Sequence, residues 1–233
     1  MTTFALVHGS WHDGGCWHAV AGELEARGHS TVAPDLPCDD PVADCQDYAA
    51  VVMDALADAG NDVVVVGHSL GGLTAAVVAA ERPVRQLVYL CALVPRPGRR
   101  VFDIEDGEPP IYAPGFGGAP ERDELDRSRW PVAAAVEELY DDVPAALARE
   151  AGERLRPQAR SATATPCPLA ELPTVETISI VARDDAVISP EWSRWTARRR
   201  LDIEPVEIDG GHFPMFTRPA ELAELLYRCG TSS

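Results

Sequence analysis

Positive charge is what this sequence has least of: 20 Lys and Arg stand against 37 Asp and Glu, a net charge of −17 over 233 residues. Nucleic acid and anionic membrane both need a basic footprint, so neither is expected as a partner. The surplus of carboxylates is read as a solubility device. Met1 to His8 show no basic start and no apolar run, so no signal peptide is expected there. No stretch approaches the roughly 18 apolar residues of a membrane span. The cysteines (Cys16, Cys38, Cys45, Cys91, Cys167, Cys229) form no C-x-x-C pair. Cys91 lies in an apolar strand run and reads as a small core hydrophobe, while a Cys38–Cys45 bridge across a loop stays open. Together these absences predict a reduced, cytoplasmic protein. Repeats and low-complexity tracts are missing too. With 46% apolar residues the chain has enough to bury one sizeable core.

What is present alternates. Short β-branched runs (Phe4 to His8, Ser30 to Ala33, Asp62 to Gly67, Gln86 to Leu93, Val175 to Val181, Ile203 to Ile208) are separated by helical patterns. The helices are expected over Trp17 to Arg27, Asp47 to Ala59, Leu70 to Ala80, Pro190 to Arg200 and Pro219 to Cys229. That order predicts an α/β fold, a parallel sheet flanked by helices. Val63 to Val66 reads as a central strand, continuously apolar because both faces are buried. The alternation breaks between residues 95 and 173, a stretch too long for a plain connection. It opens with Pro95-Arg96-Pro97-Gly98 and turns helical over Val132 to Tyr140 and Pro144 to Leu155. We therefore expect a core from residues 1–94 and 174–233, with 95–173 as a small, mostly helical cap.

The strongest chemical signal is Gly67-His68-Ser69-Leu70-Gly71-Gly72, a G-x-S-x-G between the tetravaline strand and a helix. A strand that reverses into a helix within two residues forces its serine into a strained backbone, which lifts the hydroxyl clear of the sheet. A serine hydroxyl needs a base to become a nucleophile. His212, in Asp209-Gly210-Gly211-His212-Phe213-Pro214 after the last strand, fits that role better than His8, His12, His18, His29 or His68. The base needs a carboxylate on its far nitrogen. Asp184 and Asp185 both follow the fifth sheet strand; Asp185, which precedes the apolar Val187-Ile188 pair, is favoured, with Asp184 solvated or capping the loop. The order Ser69, Asp185, His212 is the one this type of sheet imposes. An oxyanion needs donors, expected from the backbone N–H groups of Leu70 and of Ser10, which follows Gly9 after the first strand.

Other clusters have plainer readings. His8, His12, Asp13 and His18 have spacings seen among zinc ligands, but Gly9, Gly14 and Gly15 favour turns over a rigid ligand face, and no metal is expected. Trp192 and Trp195 share a helix face and read as core packing. Arg194, Arg198, Arg199 and Arg200 suit that helix's C-terminal dipole. Gly9, Trp11, Tyr112, Trp130, Tyr140 and Phe213 are candidate pocket residues, and Phe116 is a further aromatic of the cap.

These motifs resemble the α/β-hydrolase superfamily along the whole chain. The His8-Gly9-Ser10-Trp11 loop, the Gly-His-Ser-Leu-Gly-Gly elbow, the Glu191–Trp195 helix start and the Gly-Gly-His-Phe-Pro-Met ending are similar to the plant methylesterase and hydroxynitrile lyase group and its bacterial relatives. The resemblance implies a six-stranded parallel sheet with a small cap, no cofactor, and hydrolysis of small esters. The lyases of the group tend to carry threonine where Gly9 stands and lysine where Phe213 stands, so esterase chemistry is favoured. The readings kept beside it are a lyase, a lactonase, a natural-product tailoring enzyme and a non-catalytic ligand receptor. The expected partner is a small-molecule ester, with a second copy of the chain in a homodimer compatible with this reading.

Overall fold

The computed structural model describes residues 1–117 and 120–231; the side chains of residues 229–231, Cys229 among them, lie outside the description. The strands in chain order are β1 (Thr3–Val7), β2 (Ser30–Val32), β3 (Val63–His68), β4 (Gln86–Leu90), β5 (Glu121–Arg122), β6 (Ser128–Arg129), β7 (Glu176–Ala182) and β8 (Val206–Ile208). The helices are α1 (His18–Ala26), α2 (Cys45–Ala55), α3 (Gly71–Glu81), α4 (Val132–Glu138), α5 (Ala145–Glu153), α6 (Ser161–Ala164), α7 (Pro190–Arg200), α8 (Pro214–Thr217) and α9 (Pro219–Thr231). Six strands form one sheet in the order β2-β1-β3-β4-β7-β8, each neighbouring pair parallel.

The sequence pattern explains the layers. All residues of β3 are buried, because β1 and β4 flank it and helices cover both faces. Burying each of its valines contributes about 1.5 kcal/mol or more. Boundaries move where local chemistry overrides periodicity. Helix α2 starts at Cys45 rather than Asp47, because Asp44 accepts the Gln46 N–H at 2.8 Å while Asp47 accepts the Asp44 N–H at 2.9 Å, a capping box. Strand β4 stops at Leu90 rather than Leu93, since Cys91 turns the chain with a φ of +45°. Strand β8 begins only at Val206, after Pro205, which has no N–H for a ladder. The described cysteines are free thiols, Cys38 and Cys45 included, so the bridge left open by the sequence is not formed. Cys45 instead donates to the Ala162 carbonyl. No described helix is long and apolar enough to cross a membrane.

The stretch between β4 and β7 is less helical than its sequence suggests. Its helices are α4, α5 and the four-residue α6, and residues 95–117 carry no helix or strand among those described. Proline and glycine density there leaves the backbone to turns. A buried ion pair fastens this stretch to the core: Arg200 holds Glu108 at 2.6 Å and Glu105 at 3.2 Å. The indole of Trp192, fully buried, donates to the same Glu108 at 2.7 Å, and the Arg200 guanidinium lies over the Trp192 and Trp195 rings. Arg194 pairs with Glu207 and Arg198 with Glu204. The arginine cluster therefore answers carboxylates as well as the end of α7.

Candidate active site

Strand β3 ends at His68, and Ser69 follows with φ +52°, left-handed for a residue with a side chain. Such a conformation costs on the order of 1–2 kcal/mol and persists only where the surroundings hold it. Here they do. The Ser69 N–H donates to Leu90 O at 3.2 Å, and the Ser69 carbonyl accepts from Gly72 N and Leu93 N. The far end of β4 thus clamps the elbow. A side chain at Gly67 would run into the backbone of Gly71 and Gly72, so the tight turn demands glycine there.

His212 and Asp185, 27 positions apart, meet through Nδ1 and Oδ2 at 2.7 Å, both almost fully buried. The other Asp185 oxygen accepts the N–H groups of Val187 and Ile188, each at 2.8 Å. A carboxylate fixed this way can hold the imidazole in one tautomer, with Nδ1–H toward Asp185 and Nε2 free to take a proton. Asp184 is exposed and contributes its backbone N–H to Gly210 O. Cys91 Sγ lies within 4.8 Å of ligand-type atoms of Asp185 and His212. That trio is a poor cation site: the carboxylate and imidazole already satisfy each other, and burial, with the Asp185 charge, pushes the Cys91 thiol far up, keeping it protonated.

Three further histidines frame the centre, each driven below its usual range by burial and so neutral at pH 7. His8 falls to about 4; it accepts the Leu36 N–H on Nε2, so Nδ1–H donates to Gly9 O. His12 also falls to about 4; Nδ1–H donates to Ser10 O at 2.7 Å, and Nε2 accepts the Tyr140 hydroxyl at 2.8 Å. His68 is lowered further and donates from Nε2 to the His212 carbonyl at 2.9 Å. None suits a zinc role, since both ring nitrogens of His8 and His12 are engaged with protein groups. His18 is exposed and only edges a neighbouring cavity.

Ser69 and His212 line one small cavity with Gly9, Ser10, Trp11, His12, His68, Leu139, Val187 and Phe213. Its free volume of about 20 Å³ accommodates about one water. Gly9 packs so closely that a Cβ would sit 2.9 Å from Ser69 Cβ. Of the candidate pocket residues, Gly9, Trp11 and Phe213 line this cavity. Tyr140 stands one layer behind, bonded to His12 and packed on Phe213. Trp130 is buried edge-on against Trp11. Tyr112 lies farther out, 42% exposed and stacked with Phe102 and Phe116. Sequence reasoning missed His68, Leu139 and Val187 as lining residues and weighed His12 only as a base or a metal ligand. The signal for His68 was its place inside the elbow motif. A larger cavity of about 320 Å³ between α1, α5 and α8 shares His12 as a wall.

A parallel sheet that delivers a strained serine and a carboxylate-bound histidine to one edge defines a hydrolase of the α/β class. The model of the alpha/beta hydrolase family matches residues 4–225, and the chain belongs to that family. Among its relatives, it is 30% identical to Methylesterase 7 of Arabidopsis thaliana, over 96% of this chain and 94% of that one. It is also 30% identical to a pyrethroid hydrolase of Sphingobium wenxiniae, over 97% of this chain and 86% of the other. In three dimensions it is similar to the crystal structure of a pyrethroid hydrolase from Sphingobium faniae, with a TM-score of 0.81, 26% identity, and coverage of 99% and 98%.

Proposed function

We propose that the chain is a carboxylic ester hydrolase that works through an acyl-enzyme, with Ser69 as nucleophile, His212 as general base and acid, and Asp185 orienting the imidazole. The observation that carries this reading is the 2.7 Å Asp185–His212 bond in a cavity shared with a serine at φ +52°. Ser69 Oγ attacks the ester carbonyl as His212 Nε2 takes the hydroxyl proton. The oxyanion is met by the N–H groups of Ser10 and Leu70. Collapse breaks the C–O bond, and the alcohol leaves with the proton from His212. Water, deprotonated by His212, then releases the acid and restores Ser69. No redox or electron-sink group is needed for this sequence of steps.

The relatives' names support ester substrates, and the apolar lining by Trp11, Leu139, Val187 and Phe213 favours small, largely apolar esters, methyl esters among them. Residues 95–173 act as the cap over that room, and 1–94 with 174–233 as the core. The absence of lysine from the whole sequence leaves no ammonium to hold a departing cyanide, which supports hydrolysis over cyanohydrin cleavage. The free thiols suit a reducing, cytoplasmic setting. The test is Ser69→Ala with nitrophenyl acetate and a fluorophosphonate probe. The variant loses about 10⁴-fold or more in kcat/KM and all labelling. Activity near that of the wild type would reject the mechanism.

A further inference from the structure

The loop that presents His212 is tied down at three successive residues, each by a group from a different part of the chain. Asp184 N–H holds Gly210 O at 3.1 Å, and His68 Nε2–H holds the His212 carbonyl at 2.9 Å. Both belong to the sheet edge. The third tie does not. Asp142, in the turn between α4 and α5, accepts the Gly211 N–H at 2.6 Å. This is a short, charge-assisted bond to a buried glycine.

Two further observations show that the loop is shaped around this carboxylate. Gly210 has φ +94°, and a side chain there would meet both Arg218 Nε and Asp142 Oδ2 at 3.2 Å. At Gly211 the three nearest atoms to a built Cβ all belong to the Asp142 carboxyl group, at 2.8, 2.8 and 3.0 Å. The glycine pair before the histidine therefore gives Asp142 its seat. The same turn touches the rest of the centre, since Leu139 lines the catalytic cavity and the Tyr140 hydroxyl caps His12.

We propose that Asp142 is a positioning residue: by holding Gly211 N–H it sets how far the loop carries His212 toward Ser69. It does not touch the reacting atoms. The proposal rests on the reading of His212 as the base. The link also makes placement of the base depend on the cap segment being seated, because Asp142 sits only four positions beyond α4. A misplacement of the base of well under an ångström is enough to slow turnover without altering the contacts that hold substrate.

The test compares Asp142→Ala, Asp142→Asn, Gly211→Ala and the Asp142→Ala/Gly211→Ala double variant in the full chain, with nitrophenyl acetate as substrate. Asp142→Ala is expected to lower kcat about tenfold with KM changed less than about twofold. Asp142→Asn, whose amide oxygen accepts the same N–H, recovers most of that loss. Gly211→Ala alone is impaired because its methyl meets the carboxylate. Adding it to Asp142→Ala costs little more, a non-additivity that expresses direct coupling. Thermal melts of each variant separate a displaced base from an unfolded chain: impaired kcat at an unchanged melting temperature supports the proposal. Wild-type kcat in Asp142→Ala, an Asp142→Asn as poor as the alanine, or strictly additive losses would overturn it. Ser69→Ala, run beside them, keeps the two ideas apart: if it is inactive while Asp142→Ala is unimpaired, only the positioning role falls.

Discussion

The sheet and the stretch between β4 and β7 are held together by different physics. Strands β1, β3 and β4 are buried almost completely, paired in parallel ladders, and packed against α3, which α2 backs in turn. The intervening stretch has short elements and carries exposed Phe102, Ile104, Tyr112 and Leu125. It joins the core through a smaller set of buried side chains, Trp130, Leu139 and Tyr140 among them, and through polar ties. Arg156 reaches Asp39 at 2.7 Å and the Trp11 carbonyl through its own N–H, Arg154 reaches Asp13, and Gln158 reaches Trp11 N and Tyr48. The Arg156 N–H and the Gln158 amide oxygen meet at Trp11 in the Gly9–His12 loop, and Asp142 ties the histidine loop. The loops after the sheet strands carry Ser69, Asp185 and His212; the intervening stretch ties down two of the neighbouring loops. Burial resists opening by its area, whereas exposed ion pairs contribute little, so the upper stretch is expected to open at lower free energy than the sheet.

The contrast can be broken or sharpened in order of effect. The largest difference is between neighbours on the sheet edge. Asp185→Asn should cost about 10³- to 10⁴-fold in kcat, because the amide favours the wrong imidazole tautomer. Asp184→Asn, exposed and used through its backbone, should leave kcat within about twofold. Equal losses at both positions would remove Asp185 from its assigned place.

Acid should undo the core next. His8 and His12 are neutral and buried, with values near 4 against 6.5 in the unfolded chain, and His68 is lowered in the same direction. Between those limits the unfolded chain binds the extra protons. Stability is therefore intact above pH 6.5 and falls as pH drops toward 4, by about 1.4 kcal/mol per pH unit for each such histidine. Urea midpoints measured from pH 7 to 5 test the sign; a midpoint that rises on acidification contradicts it.

Smaller effects belong to the upper stretch. Glu108→Ala leaves the Trp192 indole without its acceptor and Arg200 with Glu105 and the Val94 carbonyl alone, and should lower stability by about 2 kcal/mol. Arg122→Ala removes an exposed pair with Asp126 and should not move the urea midpoint measurably. Hydrogen exchange would locate the first change in residues 95–117 if the comparison of the two regions holds.

How much of this was legible in the sequence follows from the same division. Tetravaline β3, the elbow, and the order of strands and helices carry a periodic or local signature, and each appears within a few residues of its expected place. Asp185 could be preferred over Asp184 because the Val187-Ile188 pair after it had to be buried. Asp142 and His68 each act through one bond to backbone, and His12 through one to backbone and one to a hydroxyl. Asp142 reaches a partner 69 positions away and His68 one 144 positions away. Such contacts leave no spacing to read. The patterns over Val132 to Tyr140 and Pro144 to Leu155 predict a mostly helical cap; the proline and glycine of its first half set the backbone there instead.

The strand order has a consequence for how the protein comes into being. β3 and the elbow lie in the first third of the chain, but β4 waits for β7, whose residues pair with it 90 positions later, and His212 arrives only after β8. On the proposed roles, the serine would become reactive only once His212 has been made and the pairing of β4 with β7 has closed.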